Sequence, residues 1–445
     1  MSNTRREFIK NTALASFAMS MPASSYRKIL GANDRIRVGC VGFSDRFKQS
    51  LFPPFKALHK EMNFELVGLS DIWNRRRDEG GQFFDKELDN KVAIFRNNDE
   101  LYESKSVDAV FISTADFQHA VHTMDAIKAG CDVYAEKPLA ETMADNRELL
   151  KTVKASKQIF TVGSQRRSGS NYHQAHDFIK SGEFGPIVMV ELYWNVNQPG
   201  RWRRPDLVAG LKESDVDWQR FLINRPKEKF DPRKYLEYRL FWPYSSGIPG
   251  QWMAHQIDTV HWFSGLQYPR SVVANGGIYQ WKDGRTNADT MAVTFDYGPL
   301  DDMSQGFQVI YLSRFSNSAG GVKELYFSNG GMINLDTNEI SDNGGLNERE
   351  AGAMKMKGNK LKPQKLAEIS AASDANMGND PMTFAHVKNW MQCVRDRKQT
   401  NAPIEVGYSQ SIATIMANAA YRTGQRVTFD AKRQEVLAGG KIFKY

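Results

Sequence analysis

At 445 residues, with 41% hydrophobic and 25% charged side chains, the chain is long enough for two domains with real cores and too balanced for a disordered or fibrous polymer. The formal net charge of +8 is no nucleic-acid signature, because half of it sits in the first thirty residues, where Arg5, Arg6, Lys10, Arg27 and Lys28 face only Glu7. Cys40, Cys131 and Cys393 have no metal-knuckle spacing and are odd in number, which argues against a disulfide framework and leaves structural thiols.

The chain opens with Thr4-Arg5-Arg6-Glu7-Phe8-Ile9-Lys10 before a mildly apolar stretch, Thr12 to Met21, too short and too rich in Ala and Ser to span a bilayer. The pattern resembles a twin-arginine export signal, with a plain basic tail as the alternative. It implies a folded, exported, periplasmic protein, membrane-tethered if the leader is retained, since Met21-Pro22-Ala23-Ser24 offers no clean cleavage pattern. Export of a folded chain suits a protein loaded with its cofactor beforehand. No later segment is long and apolar enough to form a membrane span.

From Ile36 the pattern becomes βα. Buried strands are predicted at Ile36 to Gly42, Phe64 to Ser70, Val107 to Ser113, Asp132 to Ala135 and Ile159 to Gly163, with helical segments near Phe47 to Lys60, His119 to Ala129 and Met143 to Ser156. Strands alternating with helices at these intervals imply a doubly wound parallel sheet over residues 34–165, after a leader and linker at 1–33. Past Pro186 the strands follow one another through turns: Ile187 to Trp194, Arg270 to Gln280, Thr290 to Tyr297, Phe307 to Phe315 and Lys323 to Ser328. They predict an open, mainly antiparallel sheet as the base of a second domain, 166–445. An aromatic, proline-punctuated stretch, Pro199 to Pro249, interrupts it before a helix from Gln251 to Ser264. Ser341 to Asn379 reads as a long loop with some helix. Met382 to Arg397 and Ser409 to Thr423 read as helices that pack back onto the sheet or the first domain.

The turn after the first strand is where a dinucleotide pyrophosphate sits, held by backbone N–H groups and the start of a helix. The glycine fingerprint here is degraded: Gly42 holds the first position, Ser44 the second and Phe47 the third. Asp71, at the end of the second strand, stands where a ribose 2′-hydroxyl would be held, with a simple strand-end cap as the alternative. NAD is favoured, and Arg75 and Arg76 leave NADP open as a 2′-phosphate acceptor.

Ile36 to Gly42, Asp71-Ile72-Trp73, Thr114-Ala-Asp-Phe-Gln-His119, Glu136-Lys137-Pro138, Val162-Gly-Ser-Gln-Arg166 and the Gly250 to Gly265 helix occur in an order that resembles the Gfo/Idh/MocA family of oxidoreductases. The resemblance covers everything after residue 34 and implies hydride transfer between a nicotinamide cofactor and a secondary alcohol of a sugar, glycoside or cyclitol. It implies cofactor contacts at Gly42, Phe43, Ser44, Asp71, Thr114, Asp116, His119, Glu136, Lys137 and Gln165, and substrate contacts at Arg166, Tyr193, Gln251, Trp252 and Asp258. Lys137 is the group implied beside the reacting hydroxyl, followed by a Pro138 that is often cis in the family. His255 is the second catalytic candidate, with a core histidine as its alternative. The family commonly has Asp four residues before this His; this chain has Gln251, which cannot take a proton.

Arg201-Trp202-Arg203, Trp242 and Tyr244 supply aromatic and cationic material for a carbohydrate, for an oligomer contact or for a lid. His119 with His122, and His173 with His176, lack a carboxylate at ligand spacing, so no metal is assigned. Three activities compete: a plain sugar or cyclitol dehydrogenase; a redox-neutral enzyme that keeps and recycles a tightly bound cofactor, which export and Gln251 favour; and a non-catalytic carbohydrate-binding relative. A homo-oligomer, dimer or tetramer, through the C-terminal sheet is expected.

Overall fold

The computed structural model describes residues 34–367 and 380–444. The stretch expected to be an export leader and the end of the expected 341–379 loop lie outside the described residues.

The first sheet is built from β1 (Ile36–Val41), β2 (Phe64–Ser70), β3 (Ala93–Phe95), β4 (Ala109–Ile112), β5 (Asp132–Ala135) and β6 (Phe160–Val162). Its order is β3-β2-β1-β4-β5-β6, with every pairing parallel. Apolar runs such as Ala-Val-Phe-Ile in β4 are buried on both faces because helices cover both sides of a parallel sheet. The reversal of strand order beside β1 leaves a crevice at the carboxyl ends of the strands, the usual ligand position in such sheets.

Phe47, where the fingerprint has its third glycine, determines how the first helix leaves β1. Its ring is fully buried among Phe43, Phe52, Phe84 and Phe111, and the chain takes a π-helical turn at Phe47–Leu51 before the α-helix Phe52–Leu58. Close packing is recovered on the next helix, Asn74–Glu87, where Gly80 lies so near the sheet that a Cβ would meet Leu69 at 2.3 Å.

The second sheet comprises β7 (Met189–Asn195), β8 (Ser271–Gly277), β9 (Thr290–Tyr297), β10 (Phe307–Arg314), β11 (Val322–Ser328), β12 (Gly331–Asn334), β13 (Glu339–Ser341), β14 (Gln364–Lys365), β15 (Val427–Asp430), β16 (Glu435–Ala438) and β17 (Lys441–Ile442). Their order is β14-β13-β12-β11-β7-β10-β9-β8-β15-β16-β17, antiparallel except for β7 beside β10. In β9, Met291, Val293, Phe295 and Tyr297 alternate inward, as a strand pleat requires when one face is packed. That face lies under the helices Ala254–Ser264 and Ile404–Thr423, which share its core cluster.

The two C-terminal helices join the domains. Pro381–Asp396 places Val387, Trp390, Met391 and Val394 in the core of the first domain, with the Trp390 ring 4.7 Å from that of Phe111. Ile404 and Val406, which begin the long helix, pack with Leu139 and Val162. Among the described residues no helix is long and apolar enough to cross a membrane.

Candidate active site

A cleft of about 700 Å3 runs along the carboxyl ends of the first sheet and beneath the second domain. At one end lies the β1 turn. Gly42 has φ +83°, a left-handed conformation, and a Cβ there would meet the Thr114 side chain at 2.8 Å. The Asp71 carboxylate accepts the backbone N–H groups of Phe43 and Trp73, each at 2.9 Å, so it braces the turn and still faces the cleft. Burial lifts its carboxyl above the usual range, against the pull of those two donors. Ser44 Oγ accepts the Phe47 N–H at 3.1 Å and donates to Ser113 at 3.0 Å. Thr114 Oγ1 is buried beside the cleft with no hydrogen-bond partner among the described residues. A left-handed glycine turn, an acidic strand end and a hydroxyl without a partner among the described residues fit a dinucleotide.

At the other end stands Lys137, just past β5, with a cis peptide bond to Pro138. His119 secures this turn, since its two ring nitrogens lie 2.8 Å from the Pro138 carbonyl and 3.2 Å from that of Thr114. Lys137 Nζ donates to the Gln251 carbonyl at 2.6 Å. Its pKa is lowered to about 8, chiefly by burial; Glu136 and Asp116 oppose the shift, and Arg46 and Arg239 add to it. His255 stacks on Trp194 with ring centroids 5.8 Å apart, and Trp194 stacks in turn on Trp252. Burial, with Lys137, Arg166 and Arg46 nearby, holds the imidazole neutral, its pKa well below the usual value.

Glu136 faces the other way from Lys137, pairing with Arg46 at 3.0 Å and accepting from Gln165 Nε2 at 3.2 Å. Gln165 and Asp116 stand behind the cleft lining and position what lines it. Asp116 accepts from Ser245 Oγ at 2.6 Å and Gln251 Nε2 at 2.5 Å. Gln251 Oε1 accepts from Arg239 Nε at 2.8 Å, so both ends of the amide are engaged away from His255. Its helix is also not uniform: Pro249–Met253 is a π turn and the α-helix begins at Ala254.

Three expected substrate residues do not line the cleft. Arg166 is buried in an ion pair with Glu324 at 2.5 Å, behind the Trp194 ring. Asp258 is held by the Arg167 guanidinium at 2.8 to 3.1 Å. Tyr193 bonds Glu191 on the opposite face of β7, because successive side chains alternate across a sheet; its neighbour Trp194 lines the cleft instead. The aromatic and cationic stretch divides as well. Arg201 and Trp202 reach the cleft, whereas Arg203 pairs with Glu237 and Asp283, Trp242 lies under Arg422, and Tyr244 packs on Phe117 and Phe221. Arg46, Trp194, Tyr238 and Arg239 line the cleft without a sequence motif to announce them; only Trp194 was recoverable, from the inward alternation of β7. Among the described residues no group of three or more His, Cys, Asp or Glu side chains is gathered to hold a metal ion.

The comparisons with known proteins meet this geometry at the nucleotide end. Residues 36–164 match the GFO_IDH_MocA model, an oxidoreductase family with an NAD-binding Rossmann fold. The chain is 30% identical to 1,5-anhydro-D-fructose reductase of Ensifer adhaerens over 135 residues, which is 28% of this chain and 40% of that one. It is 25% identical to inositol 2-dehydrogenase of Salmonella typhimurium over 178 residues, 40% of this chain and 51% of the relative. The chain thus spans about half or less of the length of these curated relatives. Across both domains the fold is that of myo-inositol 2-dehydrogenase from Lactobacillus plantarum, with a TM-score of 0.62 at 18% identity over 89% of this chain and 100% of that one. It is likewise similar to the WlbA dehydrogenase of Bordetella pertussis, solved with NADH and UDP-GlcNAcA, with a TM-score of 0.62 at 16% identity over 89% and 99% of the two chains.

Proposed function

We propose that the protein is an NAD-dependent oxidoreductase that oxidises or reduces a secondary alcohol centre of a sugar, glycoside or cyclitol. The observation that carries this reading is the meeting of Lys137, Gln251, Trp252 and His255 at one end of a continuous cleft whose other end holds Gly42 and Asp71. Bound nicotinamide would supply the hydride acceptor. Lys137, neutral above about pH 8, takes the hydroxyl proton during oxidation and as the ammonium stabilises the alkoxide in the reverse direction. His255, neutral throughout, accepts a hydrogen bond from the substrate, and the indole faces of Trp252 and Trp202 pack against its C–H surface. The plain dehydrogenase and the enzyme that recycles its cofactor both use these groups; a non-catalytic relative would have no need for a lysine desolvated at this point.

The cofactor-recycling reading draws support from how the interrupting stretch of the second domain lies on the first. Val216 forms a β-bridge with Trp73, Asp217 donates its N–H to the Ile72 carbonyl at 3.1 Å, and Arg220 pairs with Asp99 at 2.7 Å. Leu207, Phe221, Tyr235 and Leu236 from this strap line the same cleft as Asp71. Such a cover slows dissociation of a bound dinucleotide.

The purified, undialysed protein tests both readings through its absorbance and mass spectrum. Nicotinamide that survives gel filtration, with turnover in the absence of added NAD, supports recycling. A nucleotide-free protein that reduces added NAD with a sugar leaves the plain dehydrogenase. Val216→Asp, which sets a charge against Trp73, is expected to raise the NAD dissociation rate about tenfold or more, since tenfold corresponds to only ~1.4 kcal/mol. An unchanged off-rate would remove the strap from cofactor retention.

Export by the twin-arginine route and assembly through the C-terminal sheet belong to the same proposal. Half-buried Ile310 and Leu312 on the sheet face away from the helices support the assembly. Changing Arg5 and Arg6 to Lys in a reporter fusion is expected to abolish export, and undiminished export would remove the leader assignment.

A further inference from the structure

At the Asp71 end of the cleft stands a histidine that the proposed hydride transfer does not use. His122 lies on the helix His119–Lys128 and lines the cleft, where a short relay from the second strand fixes its ring. Ser70, the residue before Asp71, donates its hydroxyl to Asn98 Oδ1 at 2.6 Å, and Asn98 Nδ2 lies 3.0 Å from His122 Nδ1. With the amide oxygen taken by Ser70, the amide nitrogen donates to the ring and Nδ1 accepts.

Burial, with His119 adding to it and Asp99 opposing it, pushes the His122 pKa down to about 4, so the ring is neutral at physiological pH and carries its one proton on Nε2. No hydrogen bond among the described residues reaches that N–H, which is left to the cleft. Asp99, in the first turn of the helix Asn98–Glu103, lines the same cleft. Arg220 of the strap holds its Oδ2 at 2.7 Å, and its Oδ1 has no hydrogen bond among the described residues. A fixed N–H donor and a tethered carboxylate acceptor thus border the cleft beside the strand end that is placed to hold the ribose.

We propose that His122 and Asp99 read the Watson–Crick edge of the cofactor's adenine, the imidazole N–H donating to N1 and the carboxylate accepting from the 6-amino group. The assignment rests on the dinucleotide reading of this cleft and adds selection of the base to it. Adenine is the complement of the pair, with an acceptor at N1 beside a donor at the amino group. Hypoxanthine reverses both, since its N1 bears a proton and its C6 an oxygen. It would set N–H against N–H and oxygen against carboxylate, and a site built on hydrogen bonds rejects such a reversal strongly because its own polar groups are left unpaired.

The test is equilibrium dialysis of the purified protein against an equimolar mixture of NAD and nicotinamide hypoxanthine dinucleotide, with the bound nucleotides released and quantified by chromatography. Bound NAD is expected to exceed the analogue by about a hundredfold. The ratio is expected to fall toward one in His122→Phe, which keeps the bulk of the ring, and to stay well above one in His122→Gln, whose amide can donate from the same place. Asp99→Asn, away from the core, is expected to lower the ratio about tenfold, since its amide donates as well as accepts. Equal binding of the two dinucleotides to the parent protein would overturn the proposal and leave the dinucleotide reading in place. A preference that His122→Phe or Asp99→Asn leaves intact overturns the pairing. Failure to bind either nucleotide overturns the proposal and the cofactor reading together.

Discussion

Lys137→Met is expected to lower kcat by about 10²- to 10⁴-fold, the usual worth of a positioned proton-transfer group, while cofactor binding measured by nicotinamide fluorescence stays close to that of the parent. The reason is the position of Nζ: it is desolvated at the cleft end, anchored by the Gln251 carbonyl at 2.6 Å, and separate from the Gly42 and Asp71 end. The pH profile carries the same signature. The Lys137 pKa is lowered from 10.5 to about 8, so the neutral base accumulates as pH rises through 8. Oxidation should therefore rise across that point and level off above it, and reduction, which needs the ammonium, should fall. Glu141 is the control. Burial, with Asp116 nearby, lifts its carboxyl to about 7, and it holds Ser246 at 3.1 Å. Glu141→Gln should keep the inflection near 8. A Lys137→Met enzyme of near-normal rate would take this residue out of the mechanism.

Arg166→Met is expected to destabilise the fold by about 3–5 kcal/mol, because it strands Glu324 as a buried unpaired charge. Both side chains are essentially inaccessible, and Glu324 also accepts from Tyr326 at 3.1 Å and Tyr172 at 3.3 Å. The sign of the pH dependence follows from Glu324. Burial raises its carboxyl and Arg166 holds it back, so without Arg166 the folded protein takes up a proton at higher pH than the unfolded chain does. The variant should accordingly lose most stability at alkaline pH and recover part of it on acidification, as urea unfolding at several pH values would show. Adding Glu324→Gln should return part of the loss, since the two changes act on one interaction. Strictly additive losses would show that the pair contributes nothing to the core.

The strands β2, β5 and β9 begin and end where the apolar pattern says, because a strand buried on both faces must be apolar throughout and one buried on a single face must alternate. The short strands β12 to β17, which extend the sheet toward its two edges, escaped notice. They run two to four residues and gain their pairing from neighbours rather than from their own composition.

At the site, local sequence specifies the βα turn at Gly42, the acidic strand end at Asp71 and the Lys137-Pro138 step past β5, since each depends on chain direction and local backbone. Tertiary structure alone decided which charges face the cleft. Arg166 and Asp258 read as substrate contacts until Glu324 and Arg167, 158 and 91 residues away along the chain, neutralise them in the core. Arg201 reads equally as a carbohydrate contact, an oligomer contact or part of a lid until the fold sets its guanidinium over Trp252, on the turn before His255. A side chain's charge is written in the sequence, but whether it is satisfied depends on a partner brought near only by folding.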